Sequence, residues 1–247
     1  MINKIKKLVI ASIFSILVIT ESSLAEMKLG NFGSVSATVG VESQKYSKGQ
    51  VYNRNQPTAS VSINYQSPVG LYLITSIDHD RSDVGVTHGA TYNYEWCTTP
   101  GFKTSLNNFT LDLSFENCAR ESAFTTGYYQ AKLNYNFNKE VKGFVNYYLD
   151  DTPNGNFADN QFGTRTSTKY GQDAYEIGFS YNLGPVIITP MYTVVKNLNT
   201  TSSLDFAKKL YDIDFNFLVA DTRAEGWIGN PTHVQKTHAI LSAKKTF

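Results

Sequence analysis

The chain has 247 residues, of which 22 are basic and 21 acidic, so its formal net charge is +1. A protein that binds nucleic acid needs a basic face to neutralise phosphates, and this charge balance excludes nucleic acid as a partner. The mean hydropathy is −0.27, yet aromatic residues make up 13% of the chain, with 16 Tyr and 15 Phe. Many aromatic rings in a polar chain favour a protein that is half in contact with lipid and half with water.

The first 25 residues have the pattern of a secretory signal peptide. Lysines come first, and an apolar run follows over residues 8–20, which is short for a membrane-spanning helix. Ser23 and Ala25 are the small residues that signal peptidase requires, so we expect cleavage after Ala25. A single anchoring helix is the alternative, but Glu21 would interrupt it early. We therefore predict a signal peptide over 1–25 and one domain over 26–247.

Apolar and polar residues alternate along much of the remaining chain, which predicts β-strands. A helix would need apolar residues at spacings of three and four, and these segments lack that spacing. The alternation is strict in the segments 59–66, 109–116, 175–182 and 211–217. It is noisier in the segments 35–41, 71–77, 88–96, 129–137, 141–149, 186–194 and 238–247.

The connections between these segments alternate in length. Tight turns are predicted at 67–70, 138–140 and 183–185, whereas 151–172 is a long polar stretch. Short turns on one side and long loops on the other are typical of outer-membrane β-barrels, which have an even number of strands. A short strand near 202–206, turning at 207–209, would make the number even.

These patterns predict an all-β fold, a transmembrane antiparallel β-barrel of about 12 strands. A soluble β-sandwich or lipocalin-like barrel is the alternative, and it would fold the apolar faces of its strands inward. The signal peptide and the abundance of Tyr weigh against that alternative. The sequence thus predicts a bacterial outer-membrane protein with membrane lipid as a partner.

Several stretches resemble the TorF-like, or Gcw-chp, family of outer-membrane proteins. The similarity starts at Val35, and the segment 56–65 followed by Gly70, Leu71 and Tyr72 is similar to the family's second and third strands. Lys48 stands where the family usually has an arginine, and residues 241–247 resemble the family's closing segment. The terminal Phe247 also resembles the strand-end signal read by the barrel assembly machinery. This resemblance implies a porin that passes small hydrophilic solutes.

If the apolar set of each strand faces lipid, the alternate positions line the interior. A charge on the lipid face would cost several kcal/mol at the bilayer midplane, so charged residues should face inward. The predicted pore-lining residues are Glu42, Asp78, Glu95, Asp112, Glu116, Lys132, Lys142, Asp150, Glu176, Asp212, Asp214 and Lys244. Their excess of carboxylates predicts a narrow pore with a mild cation preference. The alternatives are a barrel plugged by internal ion pairs and an adhesin that binds through long loops near 151–172 and 196–201.

The histidines do not favour an enzyme. Barrel hydrolases often carry His-x-Ser on one strand, and no such pair occurs at His79, His88, His233 or His238. His238 and Ser242 would lie about 13 Å apart along a strand, too far to share a proton. We therefore predict no catalytic residues, no metal site and no cofactor.

The two cysteines, Cys97 and Cys118, give conflicting indications. An exported protein reaches an oxidising compartment, which favours a disulfide. The predicted strands place the two residues a barrel height apart, well beyond the ~7 Å limit on Cα spacing. Either the cysteines are not bridged or the predicted strands there are misplaced, and the layout slightly favours no bridge. The sequence also leaves a homo-oligomer open, because a wall that packs against another copy resembles one that faces lipid.

Overall fold

The computed structural model describes residues 26–47, 50–51, 57–82, 92–120, 125–150, 173–196, 199–224 and 234–247. The predicted signal peptide, the 151–172 loop and Lys48 lie outside the described residues. No helix in the described part of the chain is long and apolar enough to cross a membrane.

Antiparallel strands form almost all of the described structure. In chain order they are β1 (Met27–Lys28), β2 (Ser34–Glu42), β3 (Tyr46–Ser47), β4 (Gln50–Val51), β5 (Thr58–Gln66), β6 (Leu71–Ser82), β7 (Tyr92–Leu106), β8 (Phe109–Arg120), β9 (Thr125–Asn136), β10 (Val141–Asp150), β11 (Ala174–Asn182), β12 (Ile187–Val195), β13 (Asn199–Leu210), β14 (Ile213–Ala224) and β15 (Val234–Thr246). The two-residue β1 pairs with β2, and β3 pairs with β4 in a separate hairpin.

The remaining strands close into a barrel. From β5 to β15 each strand pairs with the next one along the chain. The barrel closes because β2 pairs with β5 on one side and with β15 on the other. Within the described residues this gives twelve wall strands, so the predicted fold class is confirmed. Every backbone amide of such a wall can bond to a neighbouring strand, as lipid surroundings require.

One strand was predicted only because the number of strands must be even. In the structure it is β13, the tenth strand of the wall. It covers the predicted 202–206 segment but runs from Asn199 to Leu210. The predicted turn at 207–209 is wrong, because β13 continues through it and pairs with β14 as far as Leu210 and Ile213. The turn is the two-residue loop Tyr211–Asp212, which the sequence analysis assigned to the next strand.

The backbone of this turn is strained. Tyr211 has φ +50° and Asp212 φ +60°, the left-handed region that type I′ turns require at both central positions. Side chains other than Gly, Asn and Asp resist that conformation by roughly 1 kcal/mol, so most of the strain is at Tyr211. We expect Tyr211→Asn combined with Asp212→Gly to stabilise the protein by about 1 kcal/mol in urea unfolding from detergent micelles. The control is the double alanine variant, which removes the same side chains; equal stabilisation by the control would contradict the strain argument.

The outer wall is apolar and the inner wall is polar. Exposed side chains along the strands include Val61, Ile63, Leu111 and Leu113, all at the alternating positions predicted to face lipid. Aromatic rings gather on this wall near the short turns: the Phe109 and Tyr135 ring centroids lie 4.6 Å apart, and Phe137 packs against Tyr135 and Phe179. Aromatic girdles of this kind mark the membrane–water interface of transmembrane barrels.

Strand β7 differs most from the prediction. The predicted segment 88–96 begins partly outside the described residues and ends too early, since β7 runs on to Leu106. This shift brings Cys97 directly opposite Cys118 on β8, with their Cα atoms 4.0 Å apart, and the two form a disulfide. The expectation of no bridge was therefore wrong. Its premise was a turn just after residue 97, whereas the turn is at Asn107–Asn108.

Candidate functional site in the barrel lumen

The barrel encloses a polar cavity of about 500 Å³ on the β5–β9 side. The residues that line it include five of the predicted pore-lining set, namely Asp78, Glu95, Asp112, Glu116 and Lys132. The cavity wall also contains Tyr72, Tyr128, Lys103, the Cys97–Cys118 disulfide and Lys45. The alternation of the strands thus places these five predicted side chains around one water-accessible space.

The strand register places most of the other predicted residues on the same inner face. On β10 and β11, Asn146 pairs with Glu176 and Lys142 pairs with Ser180, so these four share one face. On the opposite side of the ring, Glu42 interacts electrostatically with Lys244. The remaining inward positions by alternation are Asp150 and Asp214, the latter paired with Lys244. That this set lines a conducting pore stays a prediction.

Asp212 is the exception among the predicted residues. It lies in the exposed turn between β13 and β14 and not on the wall. Inward charges that the predicted set left out include Lys103, Asp205, Lys209 opposite Asp214, and Lys236 opposite Thr222. Lys103 was missed because β7 was ended too early, although alternation over residues 102–106 could have revealed it. Asp205 was missed because the predicted tenth strand had no fixed register.

A row of charges lies along the lumen wall near the short turns, on the neighbouring strands β7, β8 and β9. Asp112 pairs across the sheet with Lys103 on β7 and with Lys132 on β9, so a carboxylate lies between two ammonium groups. The Tyr72 hydroxyl donates to Asp112 Oδ1 at 2.6 Å. Opposite charges at neighbouring positions of a sheet attract one another, but two lysines against one carboxylate leave this row with a net charge of +1.

A second polar group lies on the far side of the lumen. Glu176 is only 7% exposed, and its Oε2 accepts hydrogen bonds from Tyr148 Oη at 2.8 Å and Asn146 Nδ2 at 3.0 Å. Two neutral donors hold this carboxylate in place without cancelling its charge. This wall therefore keeps a fixed negative charge.

The chain enters the lumen immediately after β2. Ser43 anchors this departure, because its N–H donates to Leu241 O at 2.8 Å and its Oγ accepts from Leu241 N–H at 3.0 Å. Beyond it, Lys45 Nζ forms an ion pair with Asp78 Oδ2 at 3.0 Å and a very short one with Glu95 Oε2. Burial disfavours the ammonium, but the carboxylates of Glu95 and Asp78 outweigh it and raise the pKa of Lys45.

Tyr46 reaches the opposite wall. Its hydroxyl is buried beside Ser203 on β13 and Thr193 on β12 without a hydrogen bond of good geometry, and burial raises the pKa of Tyr46 to about 12. Strands β12 and β13 are half-way around the ring from β6 and β7, which hold Lys45. Consecutive residues of an extended segment point in opposite directions. The pair Lys45–Tyr46, called the crossbar below, therefore spans the lumen from wall to wall. No pattern in the sequence indicated it.

One group of potential metal ligands occurs in the described residues. Ligand atoms of Glu95, Cys97 and Cys118 lie within 4.8 Å of one another. Both sulfurs are used in the disulfide, and only a thiolate binds a metal well, so this group does not form a metal centre as it stands.

A closed antiparallel barrel with an apolar outer wall, an aromatic cluster near the short turns and a charged lumen defines an outer-membrane β-barrel protein. Among solved structures, the chain is similar to the KdgM porin, with a TM-score of 0.56 at 10% identity over 86% of this chain and 99% of that one. The COG4313 outer membrane channel from Pseudomonas putida F1 gives a TM-score of 0.49 at 10% identity, over 92% of this chain and 100% of that one. At such identities the likeness shows the fold alone. No protein-family model matches the sequence, and no curated protein matches it.

Proposed function

We propose that the protein is a narrow porin that lets small hydrophilic solutes diffuse across the bacterial outer membrane, with a mild preference for cations. The observation that carries this proposal is the polar cavity of about 500 Å³ inside the barrel, lined by carboxylates, lysines and tyrosines. Among the described wall positions, inward carboxylates still outnumber inward lysines after Lys103, Lys209 and Lys236 are added. An excess of fixed negative charge along a narrow passage attracts cations and repels anions.

The proposal is tested by reversal potential in planar bilayers. With a KCl gradient across the membrane, we expect single channels of small conductance and a K⁺/Cl⁻ permeability ratio above one. The ratio should fall toward one at about 1 M salt, where the Debye length shrinks to ~3 Å. Anion preference would contradict the cation claim, and purified folded barrels that never conduct would contradict the porin itself.

The alternatives have less support. The adhesin hypothesis depends on loops near 151–172 and 196–201. The first lies outside the described residues, and the end of the second is the start of strand β13, so no observation favours the hypothesis. We also propose that the chain is not an enzyme. The porin-type lumen supports this, since its charged side chains are accounted for by pairing and solute passage.

Targeting and assembly complete the proposal. We infer that residues 1–25 are a signal peptide, that the chain is related to the TorF-like family, and that the barrel assembly machinery recognises Phe247. In the folded barrel, Phe247 N–H donates to Ala37 O at 2.7 Å and Ala37 N–H donates to Phe247 O at 3.0 Å, so Phe247 belongs to the seam between β15 and β2. The apolar outer wall would also allow a homo-oligomer to pack within the membrane.

A further inference from the structure

We propose that Lys45 determines the charge selectivity of the pore, by acting as a tethered counterion on the carboxylate pair Asp78 and Glu95. This inference rests on the proposed porin function. It concerns a residue of the crossbar and not of the wall.

Two carboxylates face each other inside the lumen. Asp78 on β6 and Glu95 on β7 are directly opposite each other across the sheet, and both line the lumen cavity. Like charges at directly opposite positions destabilise a sheet. The Lys45 ammonium contacts both carboxylates, and their side chains are little exposed, at 13% for Lys45 and 8% for Glu95. A positive charge is thus held where two negative charges meet.

The Lys45 ammonium is carried by a segment that does not belong to the wall. Lys45 belongs to the connection after β2, so its ammonium is not fixed by strand pairing. The crossbar holds it in the lumen, with Tyr46 on the far wall and Ser43 at the point of departure. The ammonium therefore occupies the position that a passing cation would otherwise take beside Asp78 and Glu95.

The position of the crossbar gives this single charge a large effect. It spans the lumen, so every solute must pass beside it. In a narrow passage with low-dielectric walls the field of a fixed charge is concentrated and changes the local concentration of ions. Removing the ammonium would leave both carboxylates in the same cross-section with one positive charge fewer.

The test compares Lys45→Met with Lys142→Met in planar bilayers. Both variants remove an inward lysine and keep most of the side-chain stem, but Lys142 lies away from the crossbar, opposite Ser180. At about 0.1 M KCl, where the Debye length is ~10 Å, we expect Lys45→Met to raise the K⁺/Cl⁻ permeability ratio at least threefold. Lys142→Met should change it by less than half of that. Equal changes in the two variants would overturn the proposal.

A second substitution should change the K⁺/Cl⁻ permeability ratio in the opposite direction. Glu95→Gln in the otherwise unchanged protein should lower the permeability ratio, and Lys45→Met combined with Glu95→Gln should bring it back to within about twofold of the starting value. Because Glu95→Gln leaves Lys45 in place, it tests the proposal even if Lys45→Met does not assemble. A permeability ratio that rises with Glu95→Gln would overturn it.

A measurement that does not depend on conduction tests the counterion role of Lys45 separately from the porin function. The Lys45→Ala variant leaves room for an alkylammonium ion between Asp78 and Glu95. In detergent micelles, 20 mM n-butylammonium chloride should raise its unfolding temperature relative to equal tetramethylammonium chloride, which cannot donate hydrogen bonds. The unmodified protein should show no such difference. If n-butylammonium stabilises the Lys45→Ala variant but the protein never conducts, the counterion role is retained and the porin function is rejected. If the protein conducts but n-butylammonium does not stabilise the variant, only the counterion role is rejected.

Discussion

Gly70→Ala should destabilise the barrel by about 3 kcal/mol or more, one of the largest effects expected for a single methyl group in this chain. Gly70 ends the turn between β5 and β6 with φ +91°, a conformation that L side chains rarely adopt. A Cβ built there would lie 2.2 Å from Lys103 O, and Gly70 O accepts a hydrogen bond from Lys103 N–H at 2.8 Å. The clash is with backbone, so relief would require breaking the contact between the turn and β7.

The chain supplies a matched control for this substitution. Gly184, in the turn between β11 and β12, has φ +85°, and a Cβ there would meet no atom within 4 Å. Gly184→Ala should therefore cost only the conformational strain, about 1–2 kcal/mol. Urea unfolding of the two variants in detergent micelles, followed by tryptophan fluorescence, measures the difference. Equal destabilisation would show that the Lys103 contact contributes nothing.

Sequence alternation predicted the wall well because lipid and water impose the same two-residue period on nearly every strand. The prediction from alternation ended strand β7 too early, and the reason is local. Pro100 has no N–H to donate, and the register between β7 and β8 skips Thr99 and Pro100 before it resumes at Gly101. A proline and a glycine in succession resemble a turn in sequence. In the structure the strand passes through them, so both Lys103 and the cysteine pairing were missed.

The lumen was predictable only in part. Inward positions such as Asp112 and Glu176 follow from the period of the strand that carries them. The crossbar could not be predicted in this way, because the polar connection after β2 shows no alternation of apolar and polar residues. Its inward path depends on ion pairs to Asp78 and Glu95, which lie 33 and 50 residues further along the chain. Contacts between residues so distant in sequence cannot be read from local pattern.

Replacing both cysteines, Cys97→Ser with Cys118→Ser, should lower the free energy of unfolding by about 3 kcal/mol. The bridge links residues 21 positions apart, and closing a loop of that length restricts the unfolded chain by roughly this amount. The disulfide lies two residues from Glu95, so its loss should also loosen the part of β7 that holds Lys45. We therefore expect the double-serine variant to unfold at lower urea and to show a noisier open channel.

A cross-strand pair in the same hairpin provides the control for the disulfide. The Ser105 and Thr110 hydroxyls are 3.0 Å apart on β7 and β8, and replacing both by Ala removes a hydrogen bond and no covalent link. That variant should lose no more than about 1 kcal/mol, because the pair is exposed. Dithiothreitol should destabilise the unmodified protein and this control alike, and leave the double-serine variant unchanged. A reductant effect that persists without the cysteines, or a double-serine variant as stable as the parent, would show that the covalent link between β7 and β8 does not stabilise the wall.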